Sequence, residues 1–270
     1  VSCEWLKDNL DHPKLVLLYS QMDNSVSAQK ENETNRYIPN SILFDFENTF
    51  CDTESTLPHT MPNATQFTHQ AQKLGFEKDS LVVVYDNKGI FSAPRVWWMC
   101  KAMGHNHVYV LDGGLPQWVN QGFSVQTNLS TLQQTGKFTA NYCDEMFYKA
   151  TDIHNQLGKL TVLDARSAGR FAGKSPEPRN GLRSGHIPSS KNLPFGDFLD
   201  GYFLKKSDEL KKTFANIVNE PEDVLVFSCG SGVTACILAL AAYEAGYRNL
   251  AVYDGSWSEW GARGDLPIEV

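Results

Sequence analysis

The run Cys229-Gly230-Ser231-Gly232-Val233-Thr234-Ala235 directly follows the apolar stretch Leu225-Val226-Phe227, so one thiol stands where a buried strand is expected to turn into a helix. Two glycines allow a tight backbone curl in which successive N–H groups point inward as an anion-binding nest. The helix beyond adds the positive end of its dipole. Both effects favour the thiolate, the form of cysteine that acts as a nucleophile. An isolated cysteine is more often a small core residue; here the order strand, cysteine, glycine loop, helix makes Cys229 the candidate nucleophile. Gly230, Ser231, Gly232, Val233 and Thr234 are the candidate lining of the anion site.

The elements that must position this loop occur twice. Tyr109-Val110-Leu111-Asp112-Gly113, ending in Trp118, aligns with Ala251-Val252-Tyr253-Asp254-Gly255, ending in Trp260. Gly104 and Gly122 recur at the same spacing as Gly246 and Gly264, and Tyr37-Ile38-Pro39 answers His186-Ile187-Pro188. Internal self-similarity of this kind reads as two copies of one module. In the first copy, strands are expected at 15–18, 81–85 and 108–111, with helices near 65–74 and 93–103. The second copy offers strands at 161–164, 224–227 and 250–253, with helices near 207–218 and after Gly232. Alternation of short apolar strands with helical stretches predicts an α/β fold: two tandem domains, each a parallel sheet with helices on both faces. We expect a first domain over 1–125, a polar linker over 126–142 and a second domain over 143–270. Asp86 stands where the second copy has Cys229, so the second copy is expected to do the chemistry, at the carboxyl ends of its strands.

Composition narrows the partners. The 270 residues are 41% hydrophobic and carry a formal net charge of −7, which suits a sizeable core and argues against nucleic acid or an anionic membrane surface as a partner. No apolar stretch reaches the roughly 18 residues of a membrane helix, so a soluble chain is expected. The six cysteines are scattered, without Cys-x-x-Cys or zinc-type spacing. Free thiols in a reducing compartment follow: the cytoplasm, or mitochondria if a targeting segment has been removed.

With these residues in view the chain resembles the two-domain rhodanese-type sulfurtransferases, and within them the 3-mercaptopyruvate branch. The resemblance rests on the 229–235 loop, Asp164-Ala165-Arg166, Gly185-His186-Ile187-Pro188, the 91–98 run ending in Trp97-Trp98, and the 254–263 run ending in Arg263. Thiosulfate-using members carry two basic residues after the cysteine; this chain has Gly230 and Ser231. The resemblance implies that Arg170 and Arg179 bind the substrate, that His59 acts with Ser231, and that Glu47 is the acidic partner of His59. It also implies no metal or organic cofactor, a small-molecule sulfur donor, and a thiol acceptor such as a thioredoxin-like protein, or cyanide.

On that resemblance, Cys229 takes sulfur from 3-mercaptopyruvate as a persulfide, releases pyruvate and passes the sulfur on. A forked guanidinium pair suits the 2-oxo carboxylate, although either arginine would be equally ordinary on a polar surface. His186, Cys236 and the tryptophans read as packing residues, with Trp257 near the site. Two alternatives remain: a thiosulfate:cyanide sulfurtransferase, and a rhodanese-like module that binds without catalysing. A cysteine phosphatase would need arginine at position 235, where this chain has alanine.

Overall fold

Strand residues that alternate between two buried faces need cover on both sides, and each half of the chain supplies it with its own helices. The computed structural model describes residues 1–22, 35–132, 134–218 and 223–270. They form two units. The first comprises Val1–Thr53, Met61–Tyr142 and Gly201–Phe203; the second comprises Glu54–Thr60, Cys143–Asp200 and Leu204–Val270.

The described elements of the first unit are α1 (Cys3–Asp8), β1 (Leu15–Ser20), β2 (Ile42–Leu43), α2 (Ala64–Lys73), β3 (Leu81–Asp86), α3 (Ala93–Ala102), β4 (Val108–Val110) and α4 (Gly114–Asn120). The sheet is parallel, in the order β2-β1-β3-β4. Leu17, Tyr19, Val83 and Tyr85 point to the face covered by α1 and α4, where Leu6, Leu115 and Trp118 close the cluster. The stretch 126–142 lies along this unit; residue 133 falls outside the described residues. Its single Phe138 is buried against Phe67, Phe76 and His105, and the N–H groups of Gly136 and Phe138 donate to Gln72 and Phe76.

The second unit has β5 (Phe147–Tyr148), α5 (Ala150–His154), β6 (Thr161–Asp164), α6 (Ala168–Phe171), β7 (Lys191–Asn192), the short β8 (Leu199–Asp200), Leu204 of β9 (Phe203–Leu204), α7 (Ser207–Ala215), β10 (Leu225–Ser228), α8 (Ala235–Glu244), β11 (Leu250–Tyr253) and α9 (Ser256–Trp260). Its sheet is parallel in the order β5-β11-β10-β6-β7. Val162, Val226, Ala251 and Tyr253 face α5 and α9, with Ile153, Trp257 and Trp260. The alternate strand residues face the side of α8, which is buried from Ala235 through Ala242. A helix apolar all round can exist in water only when so covered.

The duplication is visible in the ladders. Val82 donates its N–H to His107 and Leu225 donates to Asn249, in matching positions of the two sheets. Counting on from that register places Asp86 and Cys229 at the same point, the carboxyl end of an interior strand of each sheet.

Candidate active site

Cys229 follows the last residue of β10 and is 2% exposed. Its N–H donates to the Ser256 hydroxyl (3.1 Å), which in turn donates to the Tyr253 carbonyl (2.8 Å). Its own carbonyl accepts the Trp257 N–H at 2.9 Å. Gly230 is held in the same way: its carbonyl accepts the Ser258 N–H (2.9 Å) and hydroxyl (2.6 Å). The segment 256–258 therefore staples the start of the loop. Gly232 has φ +78°, a conformation that L side chains rarely adopt, and there the chain turns toward α8. Val233 is buried and Thr234 is the residue before α8.

The first copy shows what this loop does electrically. Asp86, fully buried, sends its carboxylate into the following loop, where it accepts N–H groups from Lys88 (2.8 Å), Phe91 (2.8 Å), Ser92 (3.0 Å) and Ala93 (2.9 Å). Converging amides of this kind make an anion site, and in the first copy the anion is the chain's own carboxylate. The second copy offers the corresponding position to the Cys229 sulfur.

Two guanidiniums come over the loop from the β6 side. A methyl group added at Gly230 would lie 3.1 Å from Arg170 Nη2 and 3.8 Å from Arg179 Nη1. Gly230 is thus glycine because charged side chains approach its backbone closely, not because its φ is unusual. Arg170 sits on α6, and its direction is set from behind: Nε and Nη2 donate to the two oxygens of Glu177 at 3.2 and 2.5 Å. Glu177, its side chain 2% exposed, also accepts Nη1 of Arg166 at 2.9 Å. Arg166 is fully buried, grips Asp164 through Nε and Nη2, donates to the Gly185 carbonyl, and lies 4.2 Å from the centre of the Trp257 ring. Arg179 is half-buried. Burial lowers its pKa, with an opposing contribution from the neighbouring Cys229.

Glu177 therefore anchors Arg166 and Arg170, although nothing in its sequence position marks it beyond the Pro-Glu-Pro-Arg run. Glu177→Gln removes the shared carboxylate charge and leaves Arg166 with Asp164 alone. Breaking one partner of a buried ion network costs about 3 kcal/mol. We expect a loss of that order in urea unfolding; unchanged stability would mean that the network contributes nothing.

His59 lies in Glu54–Thr60, a segment of the first repeat that clusters with the second unit. It adopts φ +61°, and its Nδ1 stands 3.0 Å from the Ser231 hydroxyl, which is itself 5% exposed. Glu47 lies in the first unit, on a turn organised by Asp45: its N–H donates to Asp45 Oδ1 at 3.2 Å and its carbonyl accepts the Cys51 thiol at 3.0 Å. His186 hydrogen-bonds the Phe171 carbonyl at 2.9 Å and stacks on the Phe171 ring. Cys236 is fully buried and donates to the Gly232 carbonyl. Ser256, Ser258 and Glu177 complete the site together with Asp164, and the sequence by itself assigns none of the four a role there. The runs that contain them were noticeable, but side-chain roles within a run depend on which strands are neighbours.

A family model described as "Rhodanese-like domain" matches residues 2–121 and 149–263. Mouse 3-mercaptopyruvate sulfurtransferase is 39% identical, over 96% of this chain and 91% of the mouse protein. Mouse thiosulfate sulfurtransferase is 38% identical over the same shares, 96% and 91%. The crystal structure of SseA from Escherichia coli, reported for the fold and mechanism of 3-mercaptopyruvate sulfotransferases, superposes with a TM-score of 0.82 at 32% identity, covering 95% of this chain and 98% of that one.

Proposed function

From the premise that the chain belongs to the rhodanese-like family, with both of its domains present, we propose that it is a sulfurtransferase using 3-mercaptopyruvate as donor. Overall identity does not choose the donor, because the two mouse relatives match almost equally. The observation that carries the choice is the charge distribution at Cys229. The loop itself contributes no cation, and the two guanidiniums that approach Gly230 come from α6 and the following loop. One carboxylate fits that fork; a small dianion such as thiosulfate is better served by cations within the loop.

In this reading Cys229 as thiolate attacks the donor sulfur. The S–S bond forms, the C–S bond breaks, and its electron pair passes to the pyruvate enolate, which takes up a proton. Arg170 and Arg179 hold the carboxylate. The amides of Gly230, Ser231, Gly232, Val233 and Thr234 hold the negative sulfur, as the first-copy loop holds Asp86. Ser231 and His59 carry the proton in this reading, which their 3.0 Å contact supports. Glu47 is assigned the acidic role beside His59 only on family resemblance. A thiol, either small or on a thioredoxin-like protein, or cyanide, removes the outer sulfur. The six cysteines are free, which supports a reducing compartment, the cytoplasm or mitochondria. No helix among the described residues is long and apolar enough to cross a membrane.

The test is kcat/KM for 3-mercaptopyruvate and thiosulfate, measured side by side with one acceptor. We expect the former to be the better donor. Ser231→Lys adds a cation to the loop and is expected to move the ratio toward thiosulfate, less so as salt is raised. A wild-type preference for thiosulfate, or a ratio indifferent to Lys at 231 in a folded variant, overturns the charge argument.

A further inference from the structure

A persulfide on a residue as buried as Cys229 must be reached by its acceptor through a defined approach, and the arginines take the β6 side of the loop. On the β11 side lies a cleft of about 310 Å³, lined in part by Thr60, Lys149, Asp254, Gly255, Glu259 and Arg263. Small-ligand sites begin at roughly this size. Two of its lining residues are chain neighbours of residues that touch the reacting loop. Gly255 immediately precedes Ser256 and Trp257, which hydrogen-bond the Cys229 backbone, and Thr60 immediately follows His59, which meets Ser231.

Its charges are not all committed to the fold. Glu259 accepts the Tyr253 hydroxyl at 2.8 Å and pairs with Arg263 at 3.6 Å, while Arg263 also holds Asp265 at 2.6 Å. Lys149 is exposed and makes no ion pair among the described residues. The Thr60 hydroxyl oxygen is buried without a protein partner. Lys149, Thr60 and Asp254 thus line one cleft together.

We propose that this cleft seats the polar end of the sulfur acceptor, a small thiol bearing a carboxylate and an amine. The carboxylate meets Lys149 and the Thr60 hydroxyl, and the amine meets Asp254. Donor and acceptor then approach Cys229 from opposite sides. The proposal rests on the sulfurtransferase reading. In the transfer step the acceptor thiolate attacks the outer sulfur of the Cys229 persulfide. A new S–S bond forms on the acceptor, the bond to Cys229 breaks, and its electron pair returns to the Cys229 sulfur. The proton given up by the acceptor thiol balances the thiol and persulfide forms, and no outside oxidant or reductant is needed.

L-cysteine and cysteamine differ by the carboxylate alone, so each serves as acceptor with wild type, Lys149→Ala and Lys149→Glu. Lys149→Ala is expected to raise the KM for L-cysteine by about threefold to fivefold, the range of a partly exposed ion pair, and Lys149→Glu to raise it further. The KM for cysteamine is expected not to rise in either variant. Equal effects on both acceptors, or no effect on either, overturn the cleft assignment. Persulfide formation on wild-type Cys229 from 3-mercaptopyruvate without acceptor is measured separately. Its failure sinks the sulfurtransferase reading, whereas its success with unaltered acceptor constants in the variants sinks the cleft alone.

Discussion

Cys229→Ala is expected to abolish turnover with every donor, and mass spectrometry of wild-type protein after donor without acceptor is expected to show one added sulfur on the Cys229 peptide and on no other. The competing thiols are poor candidates for physical reasons. Burial pushes the Cys3 thiol up to about 12 and pushes Cys51 and Cys100 upward as well, so all three stay protonated near neutral pH. Cys236 is sealed in the core and donates to Gly232. Cys143 stands before a single 3-10 turn, Asp144–Met146, with no glycine loop behind it. The first-unit equivalent of Cys229 is a carboxylate already saturated by amides. Sulfur recovered on a different cysteine, or residual turnover in Cys229→Ala, refutes the assignment of the nucleophile.

The arginine pair gives the second large effect. Removing a charged hydrogen bond to substrate costs about 1.5–3 kcal/mol, roughly one to two decades in kcat/KM. Arg170→Ala and Arg179→Ala are each expected to lose that much for 3-mercaptopyruvate, mostly through KM. Arg170→Lys is expected to recover only part of it. A single ammonium cannot hold both oxygens of Glu177 and the donor carboxylate, as the fork of Arg170 is placed to do. Arg179→Lys is expected to recover more, since no hydrogen bond among the described residues orients that side chain from behind. Steady-state kinetics on the folded variants check both. Wild-type constants in the two alanine variants refute the carboxylate role.

Much of the framework was legible without coordinates because it is local. Strand runs such as Leu81–Asp86 and Leu250–Tyr253, and the break from strand to helix at Cys229, follow from apolar patterning and glycine placement. The two-domain parallel α/β fold, the family and the sulfurtransferase class follow from the duplication and the 229–235 loop. Boundaries were less legible. Glu54–Thr60 belongs by sequence to the first repeat and by packing to the second unit, and Phe138 fastens a polar stretch to the first. Neither depends on local propensity; each depends on where a few side chains find partners.

What the sequence by itself determined is the candidate nucleophile, its loop and the carboxylate that stands in its place in the first copy, since these are identities at aligned positions. Only the tertiary structure decided how the site is held and aimed. Glu177 joins Arg166 to Arg170, Ser256 and Ser258 staple the loop backbone, and Gly230 leaves room for two guanidiniums. These residues stand on α6, on α9 and on loops that follow β6 and β10, from position 166 to position 258. Their meeting is set by the order β11-β10-β6 in the sheet, a through-space relation between strands distant in the chain, where nearest-neighbour chemistry carries no information.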